Sequence, residues 1–169
     1  VAQTRENGIQ TMVSLDPALQ PGTSTTIQII FTLNLPNRPG IFGWSAMQTN
    51  LVDWFPIIPP FNPDTVWEVN ERVVDSTNTI VGEYIAAETA DFSLRLRLRG
   101  AAQNLTVAAS CEGTSKPDFI EYHLPLARSF SLSISDQFAA QVDQYQGVTI
   151  RTYVFPQHGN AAQTMVEIA

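Results

Sequence analysis

Cysteine is almost missing from this sequence. Cys111 stands alone, so no internal disulfide can form and a disulfide-stapled scaffold is excluded. Cys111 itself reads as a small, half-buried side chain rather than a nucleophile. Lysine is as scarce, Lys116 being the only one, and nine Lys+Arg stand against sixteen Asp+Glu for a net charge of −7. With no cluster of cations visible along the chain, that balance repels phosphate backbones and excludes nucleic acid as a partner. No uninterrupted apolar run approaches the roughly 18 residues of a transmembrane helix. The first residues, Val1-Ala2-Gln3-Thr4-Arg5, lack the basic and apolar regions of a secretory signal. Neither feature assigns a compartment.

What is present is apolar and uncharged. Apolar residues make up 44% of the 169 positions and charged residues 15%, which suits one domain with a real core and excludes a disordered chain. The main pattern is alternation of period two. Over residues 90–100, Phe92, Leu94, Leu96 and Leu98 share one face, and Ser93, Arg95, Arg97 and Arg99 the other. Such a row predicts a strand with one dry and one wet side. Residues 128–136 repeat it through Phe130, Leu132 and Ile134, and residues 147–155 through Val148, Ile150 and Val154. Ile27, Ile29, Phe31 and Leu33 predict a further strand after the turn Gln20-Pro21-Gly22. Residues 8–15, 104–110 and 118–124 are shorter candidates. The expected fold class is all-β, an antiparallel β-sandwich with a short helix at its carboxyl end.

Two stretches break the alternation. Residues 35–63 hold Pro36, Pro39, Pro56, Pro59, Pro60 and Pro63, so they cannot be central strand throughout. They also carry Trp44, Trp54, Phe55 and Phe61, which predicts a long connection packed over the sheet by its own aromatic side chains. Residues 71–88 are polar, with a turn expected at Asp75-Ser76-Thr77-Asn78. After Pro156-Gln157-His158-Gly159, residues 160–169 have helix-forming composition, with Asn160 as the expected cap. The expected division is a sandwich over 1–158, incomplete at its amino end, and the start of a helix over 159–169.

Motifs that carry chemistry are lacking. Zinc needs three or four converging donors, and the two histidines, His123 and His158, stand outside any His-Glu-x-x-His spacing. Gly43-Trp44-Ser45-Ala46 lacks the second glycine of a nucleophile elbow. Glu83, Glu88 and Asp91 form the densest acidic group, but neither calcium-loop spacing nor a defined carboxylate pair accompanies them. They read as surface carboxylates at the start of a strand. Trp44, Trp54 and Trp67 could stack on sugar rings if exposed, yet residues 54–61 are apolar in both phases of the alternation, which favours packing. No catalytic, cofactor-binding or metal-binding residue is therefore assigned in this chain.

Several segments nevertheless resemble, in order, the amino-terminal domain of the aminopeptidase N (membrane alanine aminopeptidase) family of zinc metallopeptidases. Leu19-Gln20-Pro21-Gly22 followed by Ile27-Gln28-Ile29-Ile30-Phe31 is similar to its Leu-x-Pro-Gly and following strand. Phe42-Gly43-Trp44, with Leu51-Val52-Asp53-Trp54-Phe55-Pro56 and Pro60-Phe61, resembles its Gly-aromatic and Trp-aromatic-Pro segment. Gly82-Glu83 with Ala90-Asp91-Phe92-Ser93-Leu94, and Ala127-Arg128-Ser129-Phe130, resemble two later motifs, Ser129 replacing the usual acid. Residues 148–155 and 161–169 resemble the join to the catalytic domain.

The resemblance implies a β-sandwich that is a fragment of a larger, bacterial-like hydrolase. Its zinc, its His-Glu-x-x-His and its Gly-x-Met-Glu-Asn strand would belong to a separate catalytic domain, and none of those motifs occurs here. No cofactor is expected in this chain. Its partner would be the catalytic domain of the same polypeptide, with peptide substrate touched only indirectly. Gln48 is the nearest counterpart of a glutamine that reaches the substrate pocket in that family, but its spacing departs from the motif and it receives no role. The alternative is a carbohydrate- or ligand-binding sandwich module.

Overall fold

A computed structural model describes residues 3–6, 11–58, 61–62, 66–67, 88–100 and 105–168. The chain divides into two units, Val1–Asn34 and Leu35–Ala169. In the first, β1 (Gln3–Glu6) pairs antiparallel with β2 (Thr11–Ser14). Residues 23–36 then run without secondary structure, although a strand was expected over 27–33. The alternation itself survives: Ile29, Phe31 and Leu33 are 39–50% exposed whereas Ile30 is 90% exposed. Periodicity sets which way side chains point, but a strand also needs a neighbour for its N–H and C=O groups. Among the described residues this segment has none.

The second unit is all-β and antiparallel. One sheet has the order β7 (Ala90–Leu96), β10 (Ile120–Ala127), β9 (Gly113–Ser115). The other has the order β3 (Phe42–Trp44), β4 (Thr49–Leu51), β11 (Leu132–Ser135), β8 (Thr106–Ala109). Between the sheets Tyr122, Phe130, Leu132 and Ile134 are buried. Phe92, Leu94, Leu96 and Leu124 close on them from the first sheet, and Leu51, Val107 and Ala109 from the second. The dry faces expected from the alternation of β7 and β11 meet in this layer. Ring contacts run through it, with Phe130 5.7 Å from Tyr122 and 6.1 Å from Phe92.

The proline-rich stretch supplies part of the second sheet rather than only a cover for it. β3 and β4 turn at residues 45–48, where Ser45 N–H donates to the Gln48 carbonyl at 2.8 Å and Ser45 Oγ accepts from Met47 N–H at 3.3 Å. Prolines flank this hairpin without entering it, so the ladder keeps its donors. Serine hydroxyls clamp β4 and its flanking residues to β11 and the approach to it. Ser133 Oγ donates to Asn50 Oδ1 at 2.6 Å, Ser135 Oγ to the Met47 carbonyl at 2.5 Å, and Ser129 Oγ to Asp53 Oδ1 at 2.7 Å.

Near the carboxyl end, β12 (Ala139–Tyr145) and β13 (Val148–Val154) form a hairpin. Its two-residue loop, Gln146-Gly147, has positive φ at both positions, 49° and 82°, the geometry that matches the twist of paired strands. β12 gave no alternation in the sequence because every one of its residues is exposed. A turn of 3-10 helix (Pro156–His158) leads into α1 (Gly159–Ile168). Asn160, the expected cap, lies inside the helix, and the preceding 3-10 turn orders the chain in its place. Two short strands, β5 (Phe61–Asn62) and β6 (Val66–Trp67), pair with each other. No described helix is long and apolar enough to cross a membrane.

Candidate functional site

The alternation of β7 sends its polar residues outward, and the pairing of β7, β10 and β9 arranges them in rows. Ser93 lies opposite His123, and Arg95 opposite Glu121, which in turn faces Thr114 on β9. The result is a polar shelf on the outer face of the first sheet. It holds a shallow depression of about 830 Å³ lined by Ser93, Arg95, Glu112, Thr114, Glu121 and His123. Arg95 Nε donates to Glu121 Oε1 at 3.0 Å, and Arg151 reaches Glu112 from β13. Ser93 Oγ and His123 Nδ1 are 3.3 Å apart. Both members of that Ser–His pair are exposed, and among the described residues no third group orients the imidazole as a catalytic set requires.

At one end of the shelf two arginines share one aromatic ring. The guanidinium carbons of Arg95 and Arg97 stand 5.5 and 5.3 Å from the centroid of the same ring, Phe119. The main chain of Lys116 closes the β9–β10 turn, its N–H donating to the Phe119 carbonyl at 2.8 Å. Phe119 lies far from the arginines in the chain, and the pairing of β7 with β10 brings them together. The signal available beforehand was the run of arginines at every second position, Arg95, Arg97 and Arg99, on the wet side of β7 and the residues that follow it.

The residues weighed in the sequence fall in separate places. His158 is exposed in the 3-10 turn, against Phe155 at 6.4 Å between ring centroids. Glu88 and Asp91 are exposed, and Glu83 lies outside the described residues. Asp91 serves the backbone, its Oδ1 accepting from Leu126 N–H at 2.9 Å. Leu126 sits at the irregularity between Leu124 and Ala127 on β10 with φ of 50°, so the carboxylate holds a bulge rather than a ligand. Among the described residues no three His, Cys, Asp or Glu side chains come together as metal donors, so the described residues do not fit a zinc site.

Gln48 lines a second shallow depression of about 540 Å³, on the outer face of the second sheet beside Gly40, Asn50, Ala108, Ser131 and Ser133. Ile41, Val52 and Leu132 also border it, and no ionisable group lines it. The aromatics divide as well. Phe55 packs against the core, and Trp54 is half-buried and edge-on to Phe55 at 5.6 Å between centroids. Trp44, expected to pack, is 42% exposed, although it shares a face of β3 with the half-buried Phe42. The side chains of Phe61 and Trp67 lie outside the described residues.

Cys111 is half-buried against the core. Burial pushes its thiol up from the ordinary 9.0, opposed in part by a hydrogen bond with the His123 backbone. The Tyr122 phenol is raised from 10.0, first by burial and further by Tyr153 and Cys111. A thiol held neutral is a poor nucleophile. Both shifts favour the protonated group in the fold, so their contribution to stability is whole below about pH 9 and is lost as pH rises through the folded values. Thermal melts should therefore show a lower midpoint at about pH 10.5 than at about pH 8, and Cys111→Ser should remove part of that fall. An unchanged midpoint across this window would contradict the assignment.

Compared with known proteins, the chain matches no family model, no curated protein and no solved structure.

Proposed function

We propose that this chain is a non-catalytic accessory β-sandwich that packs against the catalytic domain of a zinc aminopeptidase and helps wall its substrate cavity. The reading rests on one observation: motifs resembling that family's amino-terminal domain occur in the family's order from Leu19 to the carboxyl-terminal helix. Two features are compatible with it. Gly43 and Phe55, which belong to the most specific motif, hold structural positions. Tyr145 and Val148 of the β12–β13 hairpin, with Met165 and Ile168 of α1, expose 56–80% of their surface, an apolar supply for packing against another body.

The test is to translate and express the coding region downstream of Ala169 with this chain. The reading expects Gly-x-Met-Glu-Asn and His-Glu-x-x-His there, zinc bound at one equivalent, and hydrolysis of aminoacyl-anilides by the long protein but not by the 169 residues alone. A stop codon or an unrelated linker would remove it. The exposure of Trp44 favours a second reading, a carbohydrate-binding module. Tryptophan fluorescence during titration with oligosaccharides separates the two, since only the module quenches or shifts on saturation.

A further inference from the structure

We infer that β7 is the seam of a homodimer, pairing edge to edge and antiparallel with β7 of a second copy about a two-fold axis at Leu94. In the first sheet β7 stands at one end of the order, with β10 as its one neighbour among the described residues. Every second residue of an edge strand points its N–H and C=O away from the sheet, where another chain can take them. The other edges of the two sheets are blunt. β3 and β9 have three residues each and β8 four, and a short edge is a poor template. β7 has seven residues, without proline or lysine, and Phe92, Leu94 and Leu96 pack against the core. Its alternation also outlasts its pairing. The register with β10 ends at Leu96, yet Arg97 is exposed, Leu98 half-buried and Arg99 exposed.

This edge is complementary to itself. Residues directly opposite in an antiparallel pair share a face, so an axis between two residues would set apolar side chains against polar ones. The axis must therefore pass through a residue, and Leu94 is the middle of the alternating run 90–98. There Asp91 of each copy lies opposite Arg97 of the other, Phe92 opposite Leu96, and Leu94 opposite itself. Asp91 and Arg97 carry opposite charges, both are exposed, and among the described residues neither has an ion-pair partner. The two-fold axis makes that contact at both ends of the seam. An axis at Arg95 would oppose this arginine to itself. An axis at Ser93 would bring Asp91 against Arg95, which Glu121 already holds at 3.0 Å. Charge thus selects both the occupant, a second copy, and its register.

The experiment is sedimentation velocity on the full chain over about a hundredfold range of concentration. A reversible monomer–dimer equilibrium is expected. Arg97→Asp sets a like charge against Asp91 at both ends of the seam and should weaken association by about tenfold or more. Lys116→Asp changes the net charge equally but lies off β7, between β9 and β10, and should leave association unaltered. Asp91→Arg should also weaken it, and an equimolar mixture of the two β7 variants should recover it as a heterodimer. Asp91→Arg gives up the bond to Leu126 N–H, so amide exchange supplies a measurement that does not need this variant. Exchange of β7 amides should slow as concentration rises in the unaltered chain and not in Arg97→Asp. A monomer at every concentration, or equal association in Arg97→Asp, would overturn the inference. So would equal weakening by Lys116→Asp, or a dimer that leaves β7 exchange unchanged. None of these readouts involves zinc or a catalytic domain, so the inference and the proposed function fail separately.

Discussion

Replacing Phe130 by alanine should destabilise the second unit by about 3–5 kcal/mol and lower its melting midpoint by roughly 10–20 °C. Phe130 is 2% exposed and lies in the short link between β10 and β11, so its ring enters the interior from neither sheet. It touches Tyr122 and Phe92 of the first sheet and borders Leu132 and Ile134 of the second. Removing it takes away the burial of a whole aromatic side chain, worth about 1.5–3 kcal/mol. It also opens a cavity that two ladders of hydrogen bonds prevent from closing. Phe130→Leu keeps most of the volume and should cost about 1–2 kcal/mol. Denaturant unfolding followed by tyrosine and tryptophan fluorescence measures both. If alanine and leucine cost the same, Phe130 is not the keystone of the interior.

Gly43→Ala should be the next most damaging change, on the order of 3 kcal/mol. Gly43 has φ of 146°, a region that a residue with a Cβ rarely adopts. The added atom would stand 2.7 Å from the Arg38 carbonyl oxygen and 2.9 Å from that of Pro36. Those oxygens are backbone and cannot swing away. The Pro36 carbonyl also accepts from both Arg38 N–H and Trp44 N–H, so moving it loosens the approach to β3. Gly40 is the natural control: its φ is 142°, but nothing lies within 4 Å of its would-be Cβ. Gly40→Ala should therefore carry the conformational part alone, about 1 kcal/mol. Equal losses at the two glycines would show that the collision at Gly43 is relieved at no cost.

The sandwich was legible wherever one face of a strand is dry and the other wet. β7, β11 and β13 follow from the alternation of Phe92 to Leu96, Phe130 to Ile134 and Val148 to Val154, because burial on one side imposes a period of two. β12 was not legible, since all seven of its residues are exposed and no pattern is imposed on them. β3 and β4 were obscured by the surrounding prolines, which mark the ends of the hairpin and not its interior. Residues 27–33 erred in the opposite sense, with a clear apolar row but no partner among the described residues. At the shelf, Arg95 and Arg97 could be placed on the wet side from sequence, while their meeting with Phe119 depends on how two hairpin strands are laid beside a third. Such a juxtaposition carries no local signature.

The serine clamp between β4 and β11 has a consequence for behaviour in salt. Ser133 and Ser135 bond to neutral acceptors, the Asn50 amide oxygen and the Met47 carbonyl, so added electrolyte takes little from these bonds, whereas it screens the exposed Arg95–Glu121 contact. Concentrated brine should thus weaken the ion pair of the outer shelf and leave the strand alignment of the opposite sheet intact, so that surface charge and shape answer separately to electrolyte.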